Sequence, residues 1–199
     1  MEYKNIAETI IGLKQSDLAL RDKLIRNKQL WNGYHAEMEK LHNTNAKVLN
    51  TIIDDIGYPT IDKVGEEASE SAWLVIQHAI GQPGFMKKCL KCLEKLAAEN
   101  KVYAANLAYL SDRISIFEGK PQLYGTQFDW DENGDLSPDA YDDLEKVNER
   151  RKNIGFNTLE EQTEIMRSRA RKENQLPPAD FEIRKMQAKE WQKKVGWIK

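Results

Sequence analysis

Apolar residues recur at three- and four-residue spacing along most of this 199-residue chain. That period admits helices and little else. Met38, Leu41, Val48, Leu49, Ile52, Ile53 and Ile56 form the clearest stripe, ended by Gly57 and Pro59. An earlier helix is predicted from about Glu2 to Asn27, with Ile6, Ile10, Leu13, Leu24 and Ile25 inward and a break at Asn32-Gly33. A third starts near Thr60, carries Ile61, Val64, Ala68, Ala72, Val75, Ile76 and Ala79, and stops at Gly81-Gln82-Pro83-Gly84. Two more follow, from Phe85 to about Glu99 and from about Val102 to Phe117.

The period changes once. Residues 122–138 read QLYGTQFDWDENGDLSP and alternate by twos, with a strong hairpin turn at Asn133-Gly134. The same letters imitate a calcium loop beginning at Asp129, but its twelfth position is Ala140, where such a loop needs a bidentate acid. The hairpin, at about 122–136, is the better expectation. Ser137-Pro138 is predicted to open the next helix, and Thr158-Leu159-Glu160-Glu161 is a capping box for another. The expected fold is mostly α: a bundle-like domain over 1–174 with one inserted hairpin. The Gln175-Leu176-Pro177-Pro178 linker then leads to a C-terminal amphipathic helix over 179–199.

Net charge is −2, but residues 1–145 sum to −8 and residues 146–199 to +6. The basic end interleaves acids and lacks an aromatic stacking pattern, which argues against nucleic acid as a partner. The N-terminal segment has acids within its apolar period, so it reads as neither signal peptide nor membrane span. Two cysteines, Cys89 and Cys92, make no disulfide framework, and a cytoplasmic setting is expected. Their C-x-x-C spacing falls on the stripe of Met86, Leu90, Leu93 and Leu96, so core packing is expected.

Three side-chain groups invite chemistry. His35, Glu39 and His42 share one helical face that could offer metal ligands. No further ligand stands at fixed spacing, so neither a metal nor a cofactor is expected. His78 lies beside the core stripe of its helix, and imidazole is the side-chain type suited to acid/base work. Asp112 and Arg113 stand among Ala105, Ala108, Tyr109, Leu110, Ile116 and Phe117, and charges placed so need designated partners.

These residues also carry a resemblance. Gly57-Tyr58-Pro59-Thr60, Gly65, Gln77-His78-Ala79, Asp112-Arg113, Gln122-x-Tyr124-Gly125-Thr126-Gln127 and Arg150-Arg151 before Gly155 resemble a bacterial domain family of unknown function with the signature GWPT…QHA…DR…QxYGTQ…RR…VG. The similarity covers about residues 15–170 and includes Asp17 and Arg21; Tyr58 replaces the usual Trp, and His42 stands where many relatives carry Asp. It implies a shared fold and polar constellation, and brings no reaction with it.

Two functional expectations stay open. In the first, the chain binds or transforms a small polar or anionic metabolite by hydrolysis or group transfer. His78 is then the acid/base, Asp112 orients it, Arg113 and Arg151 hold an anionic group, and Gln122, Tyr124 and Gln127 supply neutral hydrogen bonds. In the second, the chain is a non-catalytic helical interaction module, and the same residues are a buried structural network. Oligomeric state is not legible.

Overall fold

The computed structural model describes residues 3–29 and 34–199. The expected Asn32-Gly33 break lies outside those residues. The chain is mostly α with one antiparallel hairpin, and it divides into two compact units, Met1–Tyr103 and Ala104–Lys199. That division differs from the expected 1–174 and 179–199: residues 175–179 connect two helices within the second unit. No helix among the described residues is long and apolar enough to cross a membrane.

The first unit contains α1 (Lys4–Arg26), α2 (Ala36–Ile56), α3 (Ile61–Val64), α4 (Glu66–His78) and α5 (Pro83–Ala98). α1 packs on α4, and α2 packs on both. Their stripes meet in a core of Ile10, Leu24, Leu49, Ala72, Val75 and Ile76, with Met86 and Leu93 from α5. Each large aliphatic side chain buried here contributes about 1.5–3 kcal/mol. The helix expected from Thr60 to Ala79 is two helices, because Gly65 between them adopts φ 83°, ψ 165°, outside any helical conformation. α2 is tied to α1 by Asn45, whose Nδ2 donates to the Leu13 carbonyl at 3.1 Å. The buried face of α1 reads Ala7, Ile10, Asp17, Leu24, so a carboxylate occupies one place in an otherwise apolar stripe.

The second unit contains α6 (Ala104–Phe117), β1 (Phe128–Trp130), β2 (Leu136–Pro138), α7 (Leu144–Asn153), α8 (Leu159–Lys172) and α9 (Phe181–Val195). β1 and β2 pair with Phe128 opposite Pro138 and Trp130 opposite Leu136. Asp131 closes the turn: its Oδ1 accepts from the Asn133 and Asp135 amides, and its Oδ2 accepts from Ser137 Oγ. The carboxylate that would open a calcium loop's third position is thus spent within the hairpin.

Two expectations need correction. The strands are shorter than 122–136, because the amides of Leu123, Tyr124 and Thr126 bond Asp112 and that of Gln127 bonds Gln122 Oε1. Ser137-Pro138 does not open a helix; it forms β2, and α7 is capped by Asp143, whose side chain accepts from the Lys146 amide. The capping box at Thr158 and Glu161 is present as expected.

Candidate functional site

In the first unit, α1, α2 and α4 each bring one polar side chain to a common point. Asp17 is fully buried, and its Oδ2 accepts a 2.8 Å hydrogen bond from His78 Nδ1. His42 Nε2 stands 3.0 Å from the same oxygen. It lies off the line along which an N–H would donate, so it has the contact without the hydrogen bond. The other ring nitrogen, His42 Nδ1, is 2.7 Å from the Tyr34 hydroxyl. The two imidazoles lie 5.0 Å apart between centroids. Burial pushes the Asp17 carboxyl up, but the hydrogen bond from His78 and the close approach and charge of both imidazoles outweigh it and hold the group below its ordinary range. One nitrogen from each histidine and one Asp17 oxygen all lie within 4.8 Å of one another, a spacing at which they could hold a metal ion.

In the second unit, Asp112 of α6 organises the segment 122–127. Its Oδ1 accepts from the Leu123 and Tyr124 amides at 2.8 and 3.1 Å, and its Oδ2 accepts from the Thr126 amide at 2.9 Å and hydroxyl at 3.0 Å. Burial raises the Asp112 pKa, and these donors act against that rise without cancelling it. Gln122, also fully buried, receives the Gln127 amide on Oε1 at 2.7 Å and donates through Nε2 to the Gln127 and Asp139 carbonyls. Arg113 Nε donates to Gln127 Oε1 at 3.0 Å.

Arg151 of α7 then locks the segment. Its Nε donates to the Asn157 carbonyl at 2.6 Å, Nη1 to the Tyr124 carbonyl at 2.7 Å and Nη2 to Asn157 Oδ1 at 3.0 Å. All are neutral acceptors, and the side chain is 2% exposed. Its guanidinium lies over the Phe156 ring, 5.3 Å from the centroid. Beside it opens a cavity of about 320 Å³, lined by Tyr109, Thr126, Phe128, Phe156, Arg169 and their neighbours.

The sequence-predicted residues are thus distributed over both units. Asp112, Arg113, Gln122, Tyr124, Gln127 and Arg151 meet in the second, chiefly through backbone bonds. His78 lies in the first, and the carboxylate bonded to it there is Asp17. The candidate ligand face of His35, Glu39 and His42 does not form as a helical face. His35 is the N-cap of α2, at φ −62° and ψ 132°, and its Nδ1 accepts the Glu37 amide. His42 turns to Asp17 and His78 instead. Asp17 had a legible signal, being the one charged member of a seven-residue-spaced apolar stripe. Asn157 and Arg169 had none.

The chain belongs to a family of unknown function, DUF6624, whose model matches residues 5–175. Neither a search of curated proteins nor one of solved structures found a match to the chain.

Proposed function

We propose that the second unit binds a small anionic metabolite carrying an apolar portion, seated between Arg151, Arg169 and the aromatic wall of Tyr109 and Phe156. The observation behind this reading is the sign of the lining. Two guanidinium groups and no carboxylate face a cavity otherwise built from Tyr109, Thr126, Phe128, Phe156, Asn157, Gln162 and Met166. Arg151 has no carboxylate at bonding distance, and Arg169, exposed at the rim, makes no ion pair among the described residues. Two guanidiniums so placed attract an anion, and the fork of a guanidinium suits phosphate or carboxylate oxygens. Tyr109 and Phe156 meet edge to face at 5.8 Å and offer an apolar surface beside the charge. The volume lies at the small end of metabolite pockets. No histidine, cysteine or carboxylate is among the described lining residues, so the reading is recognition and not turnover at this cavity.

Calorimetry with phenyl phosphate, inorganic phosphate and phenol tests the reading. Phenyl phosphate should bind more tightly than either part. Arg169→Gln should weaken it about tenfold or more, since a hydrogen bond to a charged group is worth about 1.5–3 kcal/mol. The reading fails if none of the probes gives saturable heat, or if the variant binds phenyl phosphate as well as the parent does.

A further inference from the structure

The polar cluster of the first unit is assembled at a cost. A carboxylate sits in the apolar stripe of α1 with no exposed surface. Among the described residues its Oδ1 is buried without a hydrogen-bond partner, and so is His42 Nε2. Groups left in that state are costly, and native proteins seldom keep two of them side by side. Something other than a hydrogen bond has to account for the arrangement.

The geometry points to a metal ion: we propose that Asp17, His42 Nε2 and His78 Nδ1 bind one divalent first-row transition-metal ion, zinc or iron(II) in class. The proton that His78 Nδ1 donates to Asp17 in the metal-free protein is released to solvent as the ion binds. Donors that share such an ion at about 2.1 Å stand roughly 3.0–3.4 Å apart. Asp17 Oδ2 lies 3.0 Å from His42 Nε2 and 2.8 Å from His78 Nδ1, at that separation or just inside it. The off-line approach of His42 Nε2 to the carboxylate is poor for a hydrogen bond. It suits two lone pairs aimed at a common third atom. The buried Oδ1 supplies a second oxygen by which the carboxylate can turn toward the ion.

The surroundings set the donors. His42 Nδ1 bonds to the Tyr34 hydroxyl at 2.7 Å, and when Nδ1 carries the proton Nε2 is left with its lone pair free. Ligating histidines usually have such a partner on the far nitrogen. Two imidazoles and one carboxylate suit zinc and iron(II), and are a poor set for calcium or magnesium, which take oxygen. Three protein ligands leave coordination positions for water or substrate, the arrangement of a reactive site and not of a structural one. Access is available on one side: the Asp17 and His42 side chains are 1% and 8% exposed, whereas that of His78 is 31% exposed.

The test uses the whole chain, treated with chelator and titrated with Co²⁺ while visible absorption is followed. A ligand-field band should saturate at one equivalent and collapse when Zn²⁺ is added. Tyr34→Phe should weaken binding about 10–100-fold, the usual effect of losing an outer partner, and His78→Gln should weaken it by more. His78→Cys should keep the ion and add a thiolate charge-transfer band in the near ultraviolet, which identifies position 78 as a ligand even where the Gln variant folds poorly. Absence of a saturable band overturns the proposal. So does a band unchanged in His78→Gln, or cobalt binding by His78→Cys without the thiolate transition. Phenyl phosphate titrations run on the chelated protein, so this proposal and the anion-binding reading fail independently.

Discussion

Gly125 and Leu159 approach so closely that a β-carbon on residue 125 would lie 2.6 Å from Leu159 Cδ1. Gly125 also has φ +62°, a conformation that side-chain-bearing residues rarely adopt. Space and backbone therefore exclude any other residue, and Leu159, only 2% exposed, has little room to retreat. Gly125→Ala should lower stability by about 2–4 kcal/mol, combining left-handed strain with overpacking. Urea unfolding of the variant checks this, and an unchanged midpoint would show that α8 can shift freely.

Asp112 should tolerate no isostere. Asparagine replaces one acceptor oxygen with an amide that faces N–H donors already committed to it. Asp112→Asn should cost about 2–4 kcal/mol through donors left unpaired. Hydrogen exchange should show the amides of Leu123, Tyr124 and Thr126 losing protection before those of α6.

Asp139 gives a pH signature. Burial, and then the Asp129 carboxylate, raise its pKa to about 6, with Arg184 opposing. The folded state therefore holds this proton more tightly than the unfolded chain does. The stabilising contribution is fully present below the usual carboxylate value and is lost as pH rises toward about 6. Asp139→Asn should remove that fall and add about 1–2 kcal/mol near neutrality, an amount discounted for partial solvent access. Unfolding midpoints measured across the acid range would show equal slopes in both proteins if the assignment is wrong.

The two thiols should differ sharply. Cys89 is fully buried, and burial, followed by Cys92, pushes its pKa up to about 12. Cys92 is half-buried and lines a groove with Lys87, Lys88, Lys91 and Lys95. Maleimide should label one thiol in the native protein and the second only in denaturant. Cys92→Ser should abolish the native reaction; persistence of labelling would place Cys89 within reach of solvent.

α9 buries none of its own residues, and its ion pair from Arg184 to Asp129 is exposed and worth little. It is held by two indoles against Phe117, Trp191 within the helix at 5.8 Å and Trp197 just beyond it at 5.1 Å between centroids, and Trp197 is only 5% exposed. Gly196 ends the helix in the left-handed conformation, and the Trp197 amide donates back to the Gln192 carbonyl, which points the indole at α6. Trp197→Ala should cost about 3–5 kcal/mol and free α9. Circular dichroism and limited proteolysis near residues 175–179 would detect that release.

Local signals in the chain proved dependable. The stripe of Met38, Leu49, Ile52 and Ile53 became α2, and Asn133-Gly134 became the hairpin turn. What failed depended on distant partners. Residues 122–127 alternate as a strand would, yet Asp112 takes the amides of Leu123, Tyr124 and Thr126 and Gln122 takes that of Gln127, and no period within the segment reveals that. Ser137 looks like a helix cap but bonds Asp131 and receives Arg167. The polar loop residues were legible as a group, whereas the convergence of Asp17, His42 and His78 required knowing how three helices cross. His35 misled because an i, i+7 relationship holds only inside a helix, and His35 stands just before one.

Asp112 gathers amides only 11, 12 and 14 residues beyond it, whereas Arg151 reaches back 27 residues to the Tyr124 carbonyl. Closing the shorter ring loses less chain entropy and is fast. The helix bearing Asp112 and the segment after it can therefore assemble as a seed before α7 arrives to clamp it. Substitutions at Asp112 or Thr126 should then slow refolding, while those at Arg151 should chiefly hasten unfolding. The carboxylate that looks like a binding group in the finished molecule acts in this order of events as the point from which the second unit grows.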